Sequence, residues 1–169
     1  MRGLSFLVGG ELFAVDIDCV QKVVRKMKLT HVPAAPDEIL GIMNLKGKVI
    51  TIFSLTRLLG RRENRTGEYT YDTINAVVLK SFSASEDQMG LNIDKPGDLI
   101  DIDDDIICPP SLTTGALESF CISGIAEIGE RLYRIISIDS IINKYKITDE
   151  ETVGNMSIGN TSNGGIDNG

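Results

Sequence analysis

Short runs of β-branched and aliphatic residues, broken every few positions by glycine, proline or charge, dominate this chain, and they predict strands rather than long helices. The opening reads as a hairpin: Leu4 to Val8, a Gly9-Gly10 turn in which paired glycines supply positive φ, then Leu12 to Asp16. Residues 18–24, Asp18-Cys19-Val20-Gln21-Lys22-Val23-Val24, fit a short helix capped by Asp16 or Asp18, with Val20, Val23 and Val24 on one side; they fit a third strand as well. Pro33 and Pro36 break regular structure and turn the chain, leaving Asp37 to Leu40 one helical turn at most. A second hairpin follows, with Gly41 to Leu45 and Val49 to Phe53 flanking Lys46-Gly47-Lys48. Ser54 to Gly60 has a helical look and a glycine stop.

Residues 61–72 lack a periodic apolar pattern and are expected to form a surface loop between two halves, so that a linker spans about 60–72. Strands resume at Ile74 to Leu79, Gln88 to Ile93 and Leu99 to Ile102, with turn chemistry in Asp94-Lys95-Pro96-Gly97. Cys121 to Ile128, Gly129-Glu130 and Leu132 to Ile138 make a third hairpin, after which Asp139 is placed to cap a helix running to about Lys146. Residues 150–169, rich in Gly, Asn and Ser, are expected to be a disordered polar tail, leaving 1–149 as one domain of two subdomains. Many short strands, tight turns and brief helices together predict an antiparallel β-barrel architecture.

Composition narrows the function. Aromatics are 5% of the chain, Trp is absent and the net charge is −7, which excludes a base-stacking, phosphate-binding surface for nucleic acid. The charge is unevenly placed: residues 1–65 hold 11 Lys+Arg against 6 Asp+Glu, and residues 66–169 hold 6 against 18. Such polarity can steer oppositely charged partners to different faces, or simply hold the halves together. No run approaches the roughly 20 apolar residues that span a bilayer, and the start soon meets Glu11 and Asp16, so neither membrane insertion nor export is expected. Cys19, Cys108 and Cys121 are odd in number and far apart, a pattern of reduced thiols in a cytosol.

Candidate chemistry is thin. The single histidine, His31, stands before no recognised nucleophile setting and is expected to be a surface or structural residue. Asp101-x-Asp103-x-Asp105 imitates the start of a calcium loop, but Ile106 replaces the sharp-turn glycine and Leu112 the bidentate glutamate. A solvated strand edge guarded by carboxylates is the better account. No glycine-rich phosphate loop occurs, and no cofactor is expected. Arg57, Arg61, Arg62 and Arg65 suit an acidic partner or plain solvation equally.

Three blocks resemble the CheW-like chemotaxis adaptor family in order and wording: Gly10-Glu11-Leu12-Phe13-Ala14-Val15-Asp16-Ile17 with Val20 and Val23; Val32-Pro33, Pro36 and Ile39 to Ile50, similar to the family's Gly-x-x-Asn-Leu-Arg-Gly signature; and Gly90 to Asp94 with Ile125 to Ile142. The resemblance covers about residues 4–146. It implies a mainly β fold of two small five-stranded barrels sharing a hydrophobic core. It implies a non-catalytic cytoplasmic adaptor, recruited to membrane-associated receptor arrays, that couples the cytoplasmic tip of a chemoreceptor to the regulatory domain of a CheA-type histidine kinase. A scaffold of another motility or signalling array is the alternative, and a small metal-binding or hydrolytic barrel using His31 or residues 101–105 is a third.

The protein-binding residues it points to are Val20, Lys22, Gly41, Asn44, Lys46 and Gly47. Val20 would fill a partner pocket or pack in the core, and Asn44 would hold the signature turn. Gly41 and Gly47 would let a backbone approach closely, although Gly47 is equally explained by its turn. Lys46 stands where the signature has arginine, and Lys22 where the family commonly has an acid, so a Glu–Arg pair becomes Lys–Lys. A third departure, Lys95-Pro96, falls where proline cannot donate to a ladder.

Overall fold

The computed structural model describes residues 1–61, 73–81, 88–110 and 120–144. The chain divides into two compact units, 1–137 and 138–169. Among the described residues of the first, eleven strands form two sheets. They are β1 (Arg2–Val8), β2 (Glu11–Asp16), β3 (Val20–Lys28), β4 (Ile39–Leu45), β5 (Lys48–Ser54), β6 (Thr73–Leu79), β7 (Gln88–Ile93), β8 (Lys95–Asp101), β9 (Ile107–Cys108), β10 (Ile122–Ile128) and β11 (Arg131–Ile136). One sheet runs β8-β1-β2-β11-β10-β9 and the other β3-β6-β7-β5-β4.

This is the mainly β, two-sheet fold expected, with two differences in detail. One sheet has six strands, and neither is wholly antiparallel. β11 runs parallel to β2, and β5 parallel to β7. The reason is topological: each sheet is assembled from two antiparallel hairpins whose second strands lie side by side, and two strands leaving their turns in the same sense must pair in parallel.

The hairpin turns form where glycine permits them. Gly9 (φ 59°) and Gly10 (φ 81°) are both left-handed, as are Lys46 (φ 51°) and Gly47 (φ 83°), the type I′ pattern whose twist matches that of the strands. Lys48 belongs to β5, so the second turn has two residues rather than three. Between β10 and β11 only Gly129 (φ 65°) is left-handed, the type II′ pattern.

Three expectations are settled or changed. Residues 20–24 take the strand alternative rather than the helix: a 3₁₀ turn at Ile17–Cys19, capped by the Asp16 carboxylate accepting from the Asp18 N–H at 3.0 Å, feeds directly into β3, whose Val20 and Val24 face inward. Valine stiffness and pairing with β6 outweigh the local helical spacing. Second, Lys95-Pro96-Gly97 is strand rather than turn. Pro96 lies opposite Phe6 on β8, an edge strand, beside a register shift in the pairing with β1; there its missing N–H is not needed. Third, residues 138–144 of the second unit are helical, so Asp139 lies in the first turn instead of capping it from outside. The expected linker, apart from its first two residues, and the 150–169 tail with its boundary lie outside the described residues.

Each sheet encloses its own cluster. Val24, Leu40, Met43, Ile50, Ile52, Ile74, Ala76 and Val78 pack within the five-stranded sheet. Ala14, Ile102, Ala126, Tyr133 and Ile135 pack within the other. Strand alternation puts Phe13 and Val15 on the opposite face of β2 from Ala14, and Val77 and Leu79 on the opposite face of β6 from Ala76; these too are fully buried. Strands buried on both faces are what a core shared between two sheets requires. Phe6 and Phe13 stack there with centroids 6.0 Å apart.

Candidate functional site

Of the six residues singled out in the sequence, Val20 and Lys22 lie on β3 and Gly41 and Asn44 on β4, the two edge strands of the five-stranded sheet, and Lys46 and Gly47 form the turn that follows β4. Just past β3, Thr30 exchanges backbone hydrogen bonds with Ile42 of β4, its N–H donating to the Ile42 carbonyl at 2.8 Å and its carbonyl accepting from the Ile42 N–H at 2.9 Å. The sheet therefore curls until its edges meet, and it is closed at that point.

Closure explains Gly41. A Cβ there would stand 3.0 Å from the Thr30 carbonyl carbon and closer still to its oxygen, and the φ of 157° is one side chains rarely adopt. The backbone that approaches Gly41 closely is this chain's own, at Thr30. Gly41 is buried and serves closure. Gly47 has nothing within 4 Å of a virtual Cβ, so its open position leaves the left-handed turn as the local reason for glycine.

Asn44, Lys46 and Gly47 come together at the exposed end of the β4–β5 hairpin. The Asn44 Oδ1 accepts from the Gly47 N–H at 2.9 Å and ties the turn shut. Lys46 and Lys48 flank Gly47, both exposed. Beside them stands Val49, 56% exposed, across the ladder from Asn44. Sequence reading missed Val49 as a site residue. The signal was its parity: Ile50 and Ile52 face inward, so Val49 and Thr51 must face the other way, leaving an aliphatic group on the outer side of an edge hairpin. An exposed valine across from an amide, at the end of a hairpin that carries a lysine in its turn, is an apolar spot with polar neighbours, the composition of a docking point.

Val20 is 9% exposed and sits with the core side chains, while Lys22, on the same strand, is exposed opposite Val78. Of the arginines, Arg57 donates to the Asp37 carbonyl and Arg61 pairs with Glu11, whose other oxygen takes Arg134 at 3.0 Å. Arg62 and Arg65 lie outside the described residues. Asp101 pairs with Arg2 at 3.2 Å, Asp104 lies 3.7 Å from the N-terminal amine, and no group of three or more metal-ligating side chains is gathered among the described residues. His31 is exposed. No helix among the described residues is long and apolar enough to cross a membrane.

Residues 2–146 match the family model described as the CheW-like domain. The chain is 26% identical over 141 residues to a probable chemotaxis protein CheW of Rhizobium etli, covering 83% of this chain and 86% of that one. It is 28% identical over 145 residues to the chemotaxis protein CheW of Helicobacter pylori, covering 85% and 82%. Its backbone superposes on the crystal structure of the scaffolding protein TtCheW from Thermoanaerobacter tengcongensis with a TM-score of 0.66 at 26% identity, over 81% of this chain and 88% of that one.

Proposed function

This chain belongs to the CheW-like domain family, and from that membership we propose that it is the non-catalytic coupling adaptor of a chemotaxis array, joining a chemoreceptor cytoplasmic tip to the regulatory domain of a CheA-type histidine kinase. The observation that carries the reading is the β4–β5 hairpin end, where Val49 is left 56% exposed across from Asn44, beside a turn that carries Lys46. A side chain that a fold would gain by burying, held out on a turn tied by Asn44, is suited to being buried by another protein. The adaptor works in the cytoplasm, at arrays that form beside the membrane.

Lys22 and Lys46 support a partner surface with more carboxylate than is usual for the family, because an acid and an arginine are replaced by two lysines that cannot pair with each other. Val20 supports β3 from within the core, and Gly41 and Gly47 shape the two elements that present the lysines.

A pull-down with the kinase regulatory domain and with a receptor tip from the same cell tests this. Val49→Asp and Lys46→Glu are expected to weaken capture about tenfold or more while the urea midpoint stays within error of wild type. Full capture by these folded variants would remove the hairpin from the interface, and failure of the wild type to capture either partner would overturn the reading. Gly41→Asp is unsuited to this test, since it attacks closure of the sheet.

A further inference from the structure

β3 is an edge strand with four cations, Lys22, Arg25, Lys26 and Lys28, and no carboxylate between residues 20 and 28. All four are exposed, and none makes an ion pair among the described residues. Their outward direction is built by two bulges. The register with β6 slips once between Val20 and Lys22 and again between Val24 and Met27, so Gln21 and Lys22, then Arg25 and Lys26, turn outward as adjacent pairs. A regular strand would send one member of each pair inward.

The second bulge is held in a strained state. Lys26 has φ 51°, a left-handed conformation that a lysine adopts only under strain, and its N–H is satisfied by the Asn75 Oδ1 at 3.1 Å. Asn75 in turn donates to the Asp94 carbonyl at 3.0 Å. Asp94 anchors the first hairpin, its N–H reaching the Leu7 carbonyl at 2.9 Å and its Oδ2 accepting from the Gly9 N–H at 2.7 Å. The cationic bulge is thus fixed to the junction of the two sheets.

Lysines scattered on an edge discourage aggregation. That role needs neither a strained bulge nor four cations along one strand with no counter-charge. We propose that the outer side of β3 is a docking surface for a short, carboxylate-rich segment of another protein, seated along Lys22, Arg25, Lys26 and Lys28. The cationic line is about 20 Å long, from the rise of an extended strand, which suits a brief segment. A long polyanion would run on over a chain of net charge −7, whose residues 94–105 carry six aspartates against one lysine. The inference rests on the adaptor reading, which already gives Lys22 an acidic partner, and extends that contact along β3 to Arg25, Lys26 and Lys28, where it depends on charge rather than on Val49.

The test is fluorescence anisotropy of a labelled peptide of alternating Glu and Ser against the full chain at low and at physiological salt. Binding is expected to weaken as salt rises, to fall about tenfold or more in the variant Lys22→Gln/Arg25→Gln/Lys26→Gln/Lys28→Gln, and to vanish when the peptide carries Gln for Glu. Lys95→Gln/Arg131→Gln, which neutralises two exposed cations of the other sheet, is expected to leave it unchanged. The double variant Lys22→Gln/Lys28→Gln leaves the strained bulge intact, and a fall of at least threefold in it guards against misfolding of the quadruple variant. No binding, or equal binding after neutralisation, would overturn the proposal. So would tighter binding of single-stranded oligonucleotide or anionic vesicles through the same four residues, or self-association of the chain through them.

Discussion

The two sheets share one plan and finish it differently. Each is built around two antiparallel hairpins joined in parallel through their second strands, β2 to β11 in one, flanked by β8 and β9, and β7 to β5 in the other, flanked by β3. The five-stranded sheet then closes edge to edge, Thr30 against Ile42, over a glycine with no room for a side chain. The six-stranded sheet ends in β8 and β9, neighbours in the chain, linked by Ile102, which is buried in its cluster, and a 3₁₀ turn at Asp104–Ile106. One sheet is completed by hydrogen bonds between distant residues, the other by a short piece of chain. The hairpins are therefore common property, and the closures are where the sheets acquire different vulnerabilities and different edges.

That contrast is broken most severely at Gly41. Gly41→Ala pushes a Cβ into the Thr30 backbone, which cannot rotate away as a side chain can, and is expected to lower stability by roughly 3 kcal/mol, from overpacking plus an unfavourable φ. The urea midpoint measures it, and hydrogen exchange at Thr30 and Ile42 should show the bridge opening first. A midpoint within error of wild type would mean the closure contributes little.

The matching probe in the other sheet is Gly124, whose Cβ would meet the Ile107 side chain and the Cys108 carbonyl oxygen at 3.0 Å. Gly124→Ala is expected to cost about 1–2 kcal/mol, less than Gly41→Ala, because β9 is a two-residue strand at the edge of its sheet. Loss of exchange protection should be confined to residues 107–108 and their partners Ile125 and Ala126. If it spreads through β1 and β2, the six-stranded sheet depends on that edge as much as the five-stranded sheet does on its bridge.

Smaller still is the effect at Glu11, which binds Arg61, just past the short helix that follows β5, and Arg134 on β11. All three groups are roughly a quarter to a third exposed, so screening limits the pairs, and Glu11→Gln is expected to cost about 1 kcal/mol, diminishing in high salt. A double-mutant cycle with Arg134→Ala separates the Glu11–Arg134 pairing from general charge effects.

How much was legible follows the same division. Hairpins announce themselves locally, through Gly9-Gly10, Lys46-Gly47 and Gly129-Glu130 between alternating runs, and β7 appears with its expected bounds, Gln88 to Ile93. Closures do not, because they join residues whose proximity only the complete topology creates. Nothing beside Gly41 in the sequence names Thr30, so the glycine could only be assigned to an unknown neighbour. Residues 18–24 kept a helical alternative for the same reason: the pairing of β3 with β6 reaches across more than fifty positions. At the candidate site, the turn residues were legible from their types, whereas Val49 needed the inward and outward faces of β5 to be assigned before its exposure meant anything.

The hairpin turns provide the smallest and most discriminating prediction. Gly9-Gly10 is composed wholly of residues at ease with positive φ, but the corresponding turn of the five-stranded sheet places a lysine, Lys46, at φ 51°. Asparagine tolerates that conformation better and is the favoured residue at the first central position of a type I′ turn. On folding grounds alone, Lys46→Asn should therefore stabilise the protein by roughly 0.5 kcal/mol, and Gly9→Asn should be near neutral. On the adaptor reading proposed above, the turn keeps a lysine for what its ammonium would meet on a partner. Lys46→Asn is accordingly expected to raise the urea midpoint slightly and weaken capture of the kinase regulatory domain or receptor tip, two effects of opposite sense in one variant. If both move upward, or capture is untouched, the lysine is an accident of sequence and the sheets differ in closure alone.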